Sequence, residues 1–159
     1  MLKQVHSLYE PPGAIPAVFA FGVFRMAYYL LGAWGIWCAV NVGMMLYCAF
    51  CIKPNMPCFN GFRIVMPTWL SQVLTDDELR AVEAHERGHR HHLHIWRNLL
   101  SRLFFVPPSD AQRFWQEIEA DDYAAKEGRS LSLAVALRKL SQHPDDILRS
   151  DRLLQRMGI

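Results

Sequence analysis

Residues 27–52, "AYYLLGAWGIWCAVNVGMMLYCAFCI", contain no Asp, Glu, Lys or Arg. In a chain of 159 residues such a run leaves few architectures open. About 20 apolar residues cross the hydrocarbon core of a bilayer as a helix, so this run can span with some tilt. The competing readings are a core helix and a surface buried in a large assembly. The run starts too late and is too long for the apolar part of a signal peptide, and no small-residue cleavage pattern accompanies it. Upstream, "AIPAVFAFGVFRM" is apolar apart from Arg25. Either Arg25 snorkels from an interfacial segment, or residues 14–32 form a first short span with "GAWG" at 32–35 as a hairpin turn. Trp34, Trp37 and Tyr47 are available as amphipathic side chains. Lys3 and Arg25 before the run balance Lys53 and Arg63 after it, so the positive-inside count leaves the orientation open.

The expected organisation is a membrane-associated region, residues 1–52, followed by a domain over residues 53–159. With 17 Lys+Arg against 15 Asp+Glu and a net charge of +2, and with no Lys/Arg run, the chain has no nucleic-acid footprint. Cys38, Cys48, Cys51 and Cys58 form no pair of CxxC motifs, and they read as ordinary apolar cysteines.

After the run, "KPNMPCFNG" reads as a linker or turn, and "FRIVMP" as a short edge strand closed by Pro67. Thr75 and Glu78 make a capping box, with Asp76 and Asp77 suited to a helix start. One helix is expected over 76–104, weakened at Gly88. Ser109 with Gln112 caps a second helix that ends near Gly128. "LSLAVALRKL" is a third, and a short helix after His143-Pro144 ends near Met157. The fold class is mainly α, a helical domain with a small edge-strand element, preceded by one or two transmembrane helices.

Five of the seven histidines fall within residues 85–94. Inside that tract stands His85-Glu86-Arg87-Gly88-His89, an HExxH motif. Its i,i+4 spacing puts two imidazoles on one helix face, able to bind one Zn²⁺. Glu86 adjoins the first of them, where a carboxylate can act as general base toward a water. Zinc catalysis needs a third protein ligand and an open fourth position. A metzincin histidine would fall six residues past His89, but Ile95 is there. "QEIEADDYAA" offers carboxylates instead. Glu117 and Asp121 share a helix face while Glu119 points elsewhere, which favours Glu117 as third ligand and Asp121 as a group behind it that either holds a histidine N–H or steadies the helix. His92 lies on the His85/His89 side and could make a three-histidine site. His91 and His94 read as solvated or packing histidines, with auxiliary metal binding as the alternative.

The segment "TDDELRAVEAHERGHRHHLH" resembles the HExxH helix of the membrane-bound gluzincin peptidases that include HtpX-type heat-shock proteases and CAAX prenyl endopeptidases. "EIEADDYA" resembles their "E..AD..A" helix, "GRSLSLAVALRKL" their "G.....l..aL.kl", and "HPDDILRSDRL" their "HP....R..rl" ending. The similarity implies a zincin-like metallopeptidase domain, one zinc held by His85, His89 and Glu117, a peptide or protein substrate, and a membrane location with the catalytic domain facing the cytoplasm. His143, from the "HP....R" echo, either stabilises an oxyanion or caps a turn. Arg149 and Arg152 read as solvated or paired surface charges. Departures are present: the chain is short, and Arg87 and Arg90 stand where apolar residues are usual in the family. Two other readings compete. One is a regulatory peptidase that cleaves repressors, with an HExxH and a later "E.EA" helix. The other is a silent structural protein that keeps zinc to hold its helices, against which the retention of Glu86 speaks.

Overall fold

The computed structural model describes residues 14–140 and 143–158, with side chains from residue 21 onward. Lys3, used in the charge count, and residues 1–13 of the membrane-associated region lie outside the described residues.

Helix α1 (Ala14–Cys51) is continuous. Gly32 and Gly35 are helical, so the hairpin at 32–35 is not what the chain adopts. Two glycines without a turn-forming partner cost helix stability of about 1 kcal/mol each, too little to end a helix whose other residues are almost all apolar. The stretch Phe21–Cys51 is long and apolar enough to cross a membrane, and only 6% of its most apolar window is buried. It is therefore not a core helix of this chain. At about 1.5 Å per residue its 31 residues extend for roughly 46 Å, more than the ~30 Å of a bilayer core.

Residues 41–159 form a separate compact unit. After the last turns of α1 it holds a two-stranded antiparallel sheet, β1 (Cys58–Phe59) and β2 (Ile64–Val65). β1 lies within the stretch expected to be a linker. Asn60-Gly61 is a hairpin signal: Gly61 has φ 95°, and the Asn60 Oδ1 accepts from the N–H groups of Phe62 and Arg63 at 3.1 and 2.9 Å. The Asn60 amide also donates to the carbonyl of Ala49, and Phe62 sits between the rings of Phe50 and Trp96.

A single turn, α2 (Leu70–Val73), leads into α3 (Asp76–His91). The expected capping box is present. Glu78 N–H donates to Thr75 Oγ1, and Thr75 N–H donates to Glu78 Oε2. Lys139 Nζ adds a third contact to the same carboxylate at 2.8 Å. The single helix expected over 76–104 is broken. His92 caps α3, Leu93 takes a left-handed conformation with φ 54°, and α4 (His94–Leu103) continues in a new direction. Gly88 is not the breaking point. It lies inside α3, where α5 (Asp110–Lys126) crosses so closely that a Cβ would meet the Ala120 Cα at 2.7 Å.

The Ser109–Gln112 capping box opens α5. Helices α6 (Ser130–Leu140) and α7 (Pro144–Gln155) complete the unit, with Pro at the first turn of α7. α3 lies against α5 and α6, and α6 against α7. Between them Leu70, Leu74, Val82, Leu133 and Leu153 are buried with a set of alanines. Each large side chain so buried contributes about 1.5–3 kcal/mol, and the alanines let the helix axes approach. The fold is mainly α with a small strand element, as expected. Its core fixes α3, α5 and α7 against one another.

Candidate metal centre

The buried side of α3 brings His85 and His89 toward α5 and Glu86 toward β1. The Nε2 atoms of His85 and His89 are 3.1 Å apart. Glu117 on α5 places Oε2 3.3 Å from His85 Nε2 and Oε1 3.4 Å from His89 Nε2. A tetrahedral ion with bonds of ~2.05 Å has ligand atoms about 3.3 Å apart. The triangle of ligand groups has edges of that size, the two at Glu117 ending on different oxygens of its carboxylate, and two imidazoles with a carboxylate are a donor set that zinc takes. The residues present fit a zinc ion.

Each ligand-type side chain is backed by a second group. Asp121, 0% exposed, puts Oδ1 2.8 Å from His85 Nδ1, although the approach lies outside hydrogen-bond alignment. This carboxylate holds a proton on Nδ1, so that Nε2 is the nitrogen left to meet a cation. Burial alone would lower the pKa of His85, but Asp121 and Glu117 outweigh it and push it up to about 9. Glu117 moves the opposite way: burial raises its pKa, and the contacts with His85 and His89 bring it well below the usual carboxylate range.

On the far side of His89, Nδ1 lies 2.8 Å from Nδ1 of His94, and His94 Nε2 lies 2.7 Å from Glu119 Oε2. The consistent proton placement has His94 donating from Nε2 to the carboxylate, and His89 donating from Nδ1 to His94. His89 Nε2 is then bare and faces the triangle. His94, read from sequence as a solvated or packing histidine, is 2% exposed. The break at Leu93 turns it inward. Glu119 does point away from the triangle, as expected from its place on the helix, and its Oε2 meets His94 Nε2 at 2.7 Å and Arg97 Nη1 at 3.5 Å. Reciprocal amide bonds between Asn98 and Gln116 hold α4 beside α5 at this point.

Arg149 is not the solvated or surface-paired charge that the sequence suggests. It is 6% exposed. Its Nε and Nη2 donate to the two oxygens of Asp121 at 2.8 Å each, and Nη1 lies 2.8 Å from Asp146 and 3.1 Å from Glu117. Arg152 pairs with Asp122 through two bonds at the unit's edge. The signal was available: Arg149 closes the "HP....R" echo, and an arginine buried among three carboxylates is paired far more firmly than a surface charge.

Glu86 is buried, and its Oε2 accepts the backbone N–H of Phe59 on β1 at 2.6 Å. Two cavities meet at His85 and Glu86. One, of about 460 Å³, is lined by Val82, Leu133, Leu137 and Leu140 with His143 and Arg149. The other, of about 390 Å³, is lined by β1, His89, Asn98, Arg113 and Gln116. His143 caps α7 by accepting from Asp145 N–H at 3.3 Å, and so combines the cap with a place on the cavity wall. All four cysteines are free.

Residues 49–107 match the model of the family described as Peptidase family M48. The matched residues hold β1, β2, α2, α3 and α4, and with them the HExxH tract, in agreement with the HtpX/CAAX-type resemblance of the sequence. The match supports a metallopeptidase. Glu117, Asp121, His143 and Arg149 lie beyond the matched residues. No curated protein and no solved structure matches the chain.

Proposed function

We propose that this chain is a zinc-dependent endopeptidase of the M48 kind, anchored in a membrane by α1, with its peptidase unit on the cytoplasmic side as the family resemblance implies. The observation that carries the reading is the convergence of His85 Nε2, His89 Nε2 and the Glu117 carboxylate, with Glu86 beside them. Zinc held by those three residues supplies Lewis acidity, which polarises a substrate carbonyl and makes a water acidic. Glu86 takes the proton of the attacking water and passes it to the leaving amine. The Phe59 N–H holds one oxygen of Glu86, which fixes the direction of its carboxylate. Asp121 and His94 hold the two ligating imidazoles in the tautomers that leave Nε2 bare. Arg149 orients Asp121 and balances the carboxylates gathered around it. His143, on the wall of the apolar cavity, donates to the carbonyl oxygen of a peptide lying across the site. The two cavities on either side of Glu86 offer places for substrate residues before and after the cleaved bond. The length and exposure of α1 support the membrane anchor.

Metal content and casein cleavage of the detergent-extracted chain test this reading together. The parent is expected to hold one zinc and cleave. Glu86→Gln is expected to keep the zinc and lose roughly 10²- to 10⁴-fold in rate. His85→Ala is expected to lose both. A parent that holds zinc yet cleaves no substrate tried, or a Glu86→Gln variant as fast as the parent, gives the structural reading the better claim.

A further inference from the structure

His89 is the residue at which two clusters meet. Its Nε2 faces His85 and Glu117, and its Nδ1 contacts His94. Ligand atoms of His92, His94 and Glu119 lie within 4.8 Å of one another. The His94 Nε2–Glu119 Oε2 distance is 2.7 Å, and the rings of His92 and His94 stack at 5.4 Å. Two imidazoles and a carboxylate again make a donor set for zinc or its neighbours. This cluster is open on one side, since the Glu119 side chain is 43% exposed and His92 is half-buried. The hydrolysis derived above makes no use of His92.

We propose that His92, His94 and Glu119 form a second, weaker site for a zinc-class divalent cation, and that filling it withdraws His89 from the first. The inference rests on the zinc-peptidase reading, because it presumes that His89 is a ligand there. The reason lies in where protons must sit. With Glu119 accepting from His94 Nε2, the proton between the two Nδ1 atoms belongs to His89, and His89 Nε2 is bare. A cation on His94 Nε2 displaces the proton there, so neutral His94 carries its proton on Nδ1. His94 then donates to His89 Nδ1, and neutral His89 carries its own proton on Nε2, the atom that faces His85 and Glu117. The two rings hold two protons before and after. What changes is that a nitrogen bearing hydrogen no longer offers a lone pair to the first cation. Filling of the two sites is thus mutually antagonistic, and linkage requires that the antagonism be reciprocal.

The test uses the 159-residue chain carrying one equivalent of isotopically labelled zinc, with unlabelled zinc chloride as the probe. The expected isotherm has a second, weaker equivalent. Release of the labelled ion should accelerate roughly tenfold or more as that equivalent fills, within the usual range of coupling between sites. His92→Ala should abolish the second equivalent and the acceleration while keeping the first ion bound. His91→Ala, a change to the adjacent exposed histidine, should keep both effects. A second equivalent and an acceleration that persist in His92→Ala overturn the proposal, and so does a parent whose release rate ignores added zinc. Failure of the underlying reading looks different: the parent retains no first ion, or His85→Ala retains it as well as the parent, and either result overturns both.

Discussion

Arg149 grips Asp121 through two parallel bonds of 2.8 Å, in a part of the molecule where the carboxylate is 0% exposed. Burial raises the Asp121 pKa, but Arg149 and His85 outweigh it and hold the carboxyl below its ordinary range. Taking away one member of such a pair leaves the other charge buried and uncompensated, at a cost of about 3–5 kcal/mol. Asp121→Ala and Arg149→Leu should each lower the urea midpoint by a corresponding amount. Arg149→Lys should fall between them and the parent, because an ammonium keeps the charge and loses the fork. A loss below about 1 kcal/mol for Asp121→Ala, the range of exposed pairs, would contradict this account.

Gly88→Ala should damage the site without touching a ligand. The added methyl would lie 2.7 Å from Ala120 Cα and 2.9 Å from Ala120 O. Both are backbone atoms and cannot rotate aside, so α3 and α5 must part. A stability loss of roughly 1–3 kcal/mol is expected. Zinc affinity should fall with it, because α3 carries the two histidines and α5 the glutamate. The neighbouring Arg87→Ala removes partly exposed ion pairs with Glu83 and Glu127 and should cost no more than about 1 kcal/mol. Thermal melts and zinc titrations of the two variants side by side decide the matter.

His94→Leu should weaken binding of the first zinc by about 10- to 100-fold, the usual effect of removing a partner behind a metal ligand. The circular dichroism of the domain should be unchanged, since leucine fills a similar volume. Affinity equal to the parent's would show that the 2.8 Å contact with His89 does not orient that ring.

Glu78 gives the pH dependence a sign. Burial raises its pKa, yet the bonds from Lys139 and Thr75 outweigh burial and the net shift is downward. A carboxyl with a lowered folded pKa binds its proton more readily in the unfolded chain. Its contribution is therefore complete above the unfolded value of about 4.3 and is lost as pH falls through the folded value. Glu78→Gln should cost about 1 kcal/mol at neutral pH, a typical helix-cap effect. The difference from the parent should shrink on acidification below about pH 4. A gap that widens in acid contradicts the assignment.

The helices whose ends are written in local chemistry were legible from sequence. Thr75–Glu78 and Ser109–Gln112 announce α3 and α5, and both capping boxes form. The HExxH spacing and the shared face of Glu117 and Asp121 follow from the 3.6-residue period alone, and the structure brings those four side chains together. What sequence could not supply was direction. Leu93 is no breaker by propensity, so the turn at the end of α3 is invisible in the sequence, and His94 reads there as a solvated or packing histidine. Arg149 reads as a surface charge for a similar reason: beside the local Asp146, its partners Asp121 and Glu117 come from α5, Asp121 lying 28 residues away along the chain, and only packing reveals that they surround it. The hairpin reading of residues 14–52 shows the converse case, in which two glycines suggested a turn that the apolar context around them did not make.

The left-handed residue at position 93 turns a histidine-rich tract into a measure of length. On a continuous helix each added residue rotates those beyond it by about 100°, and a tract so repetitive could absorb a slip by offering another imidazole. Here the tract changes course at one residue, and only a spacing of five from His89 delivers a ring whose Nδ1 meets its own. A single alanine inserted between Arg90 and His91 would leave every histidine present and the composition almost the same. It would move the corner by one step and carry His94 away from both His89 and Glu119. The tract is thus tolerant of what its residues are at His91 and intolerant of how many there are, so the natural variation to expect is by substitution and not by insertion.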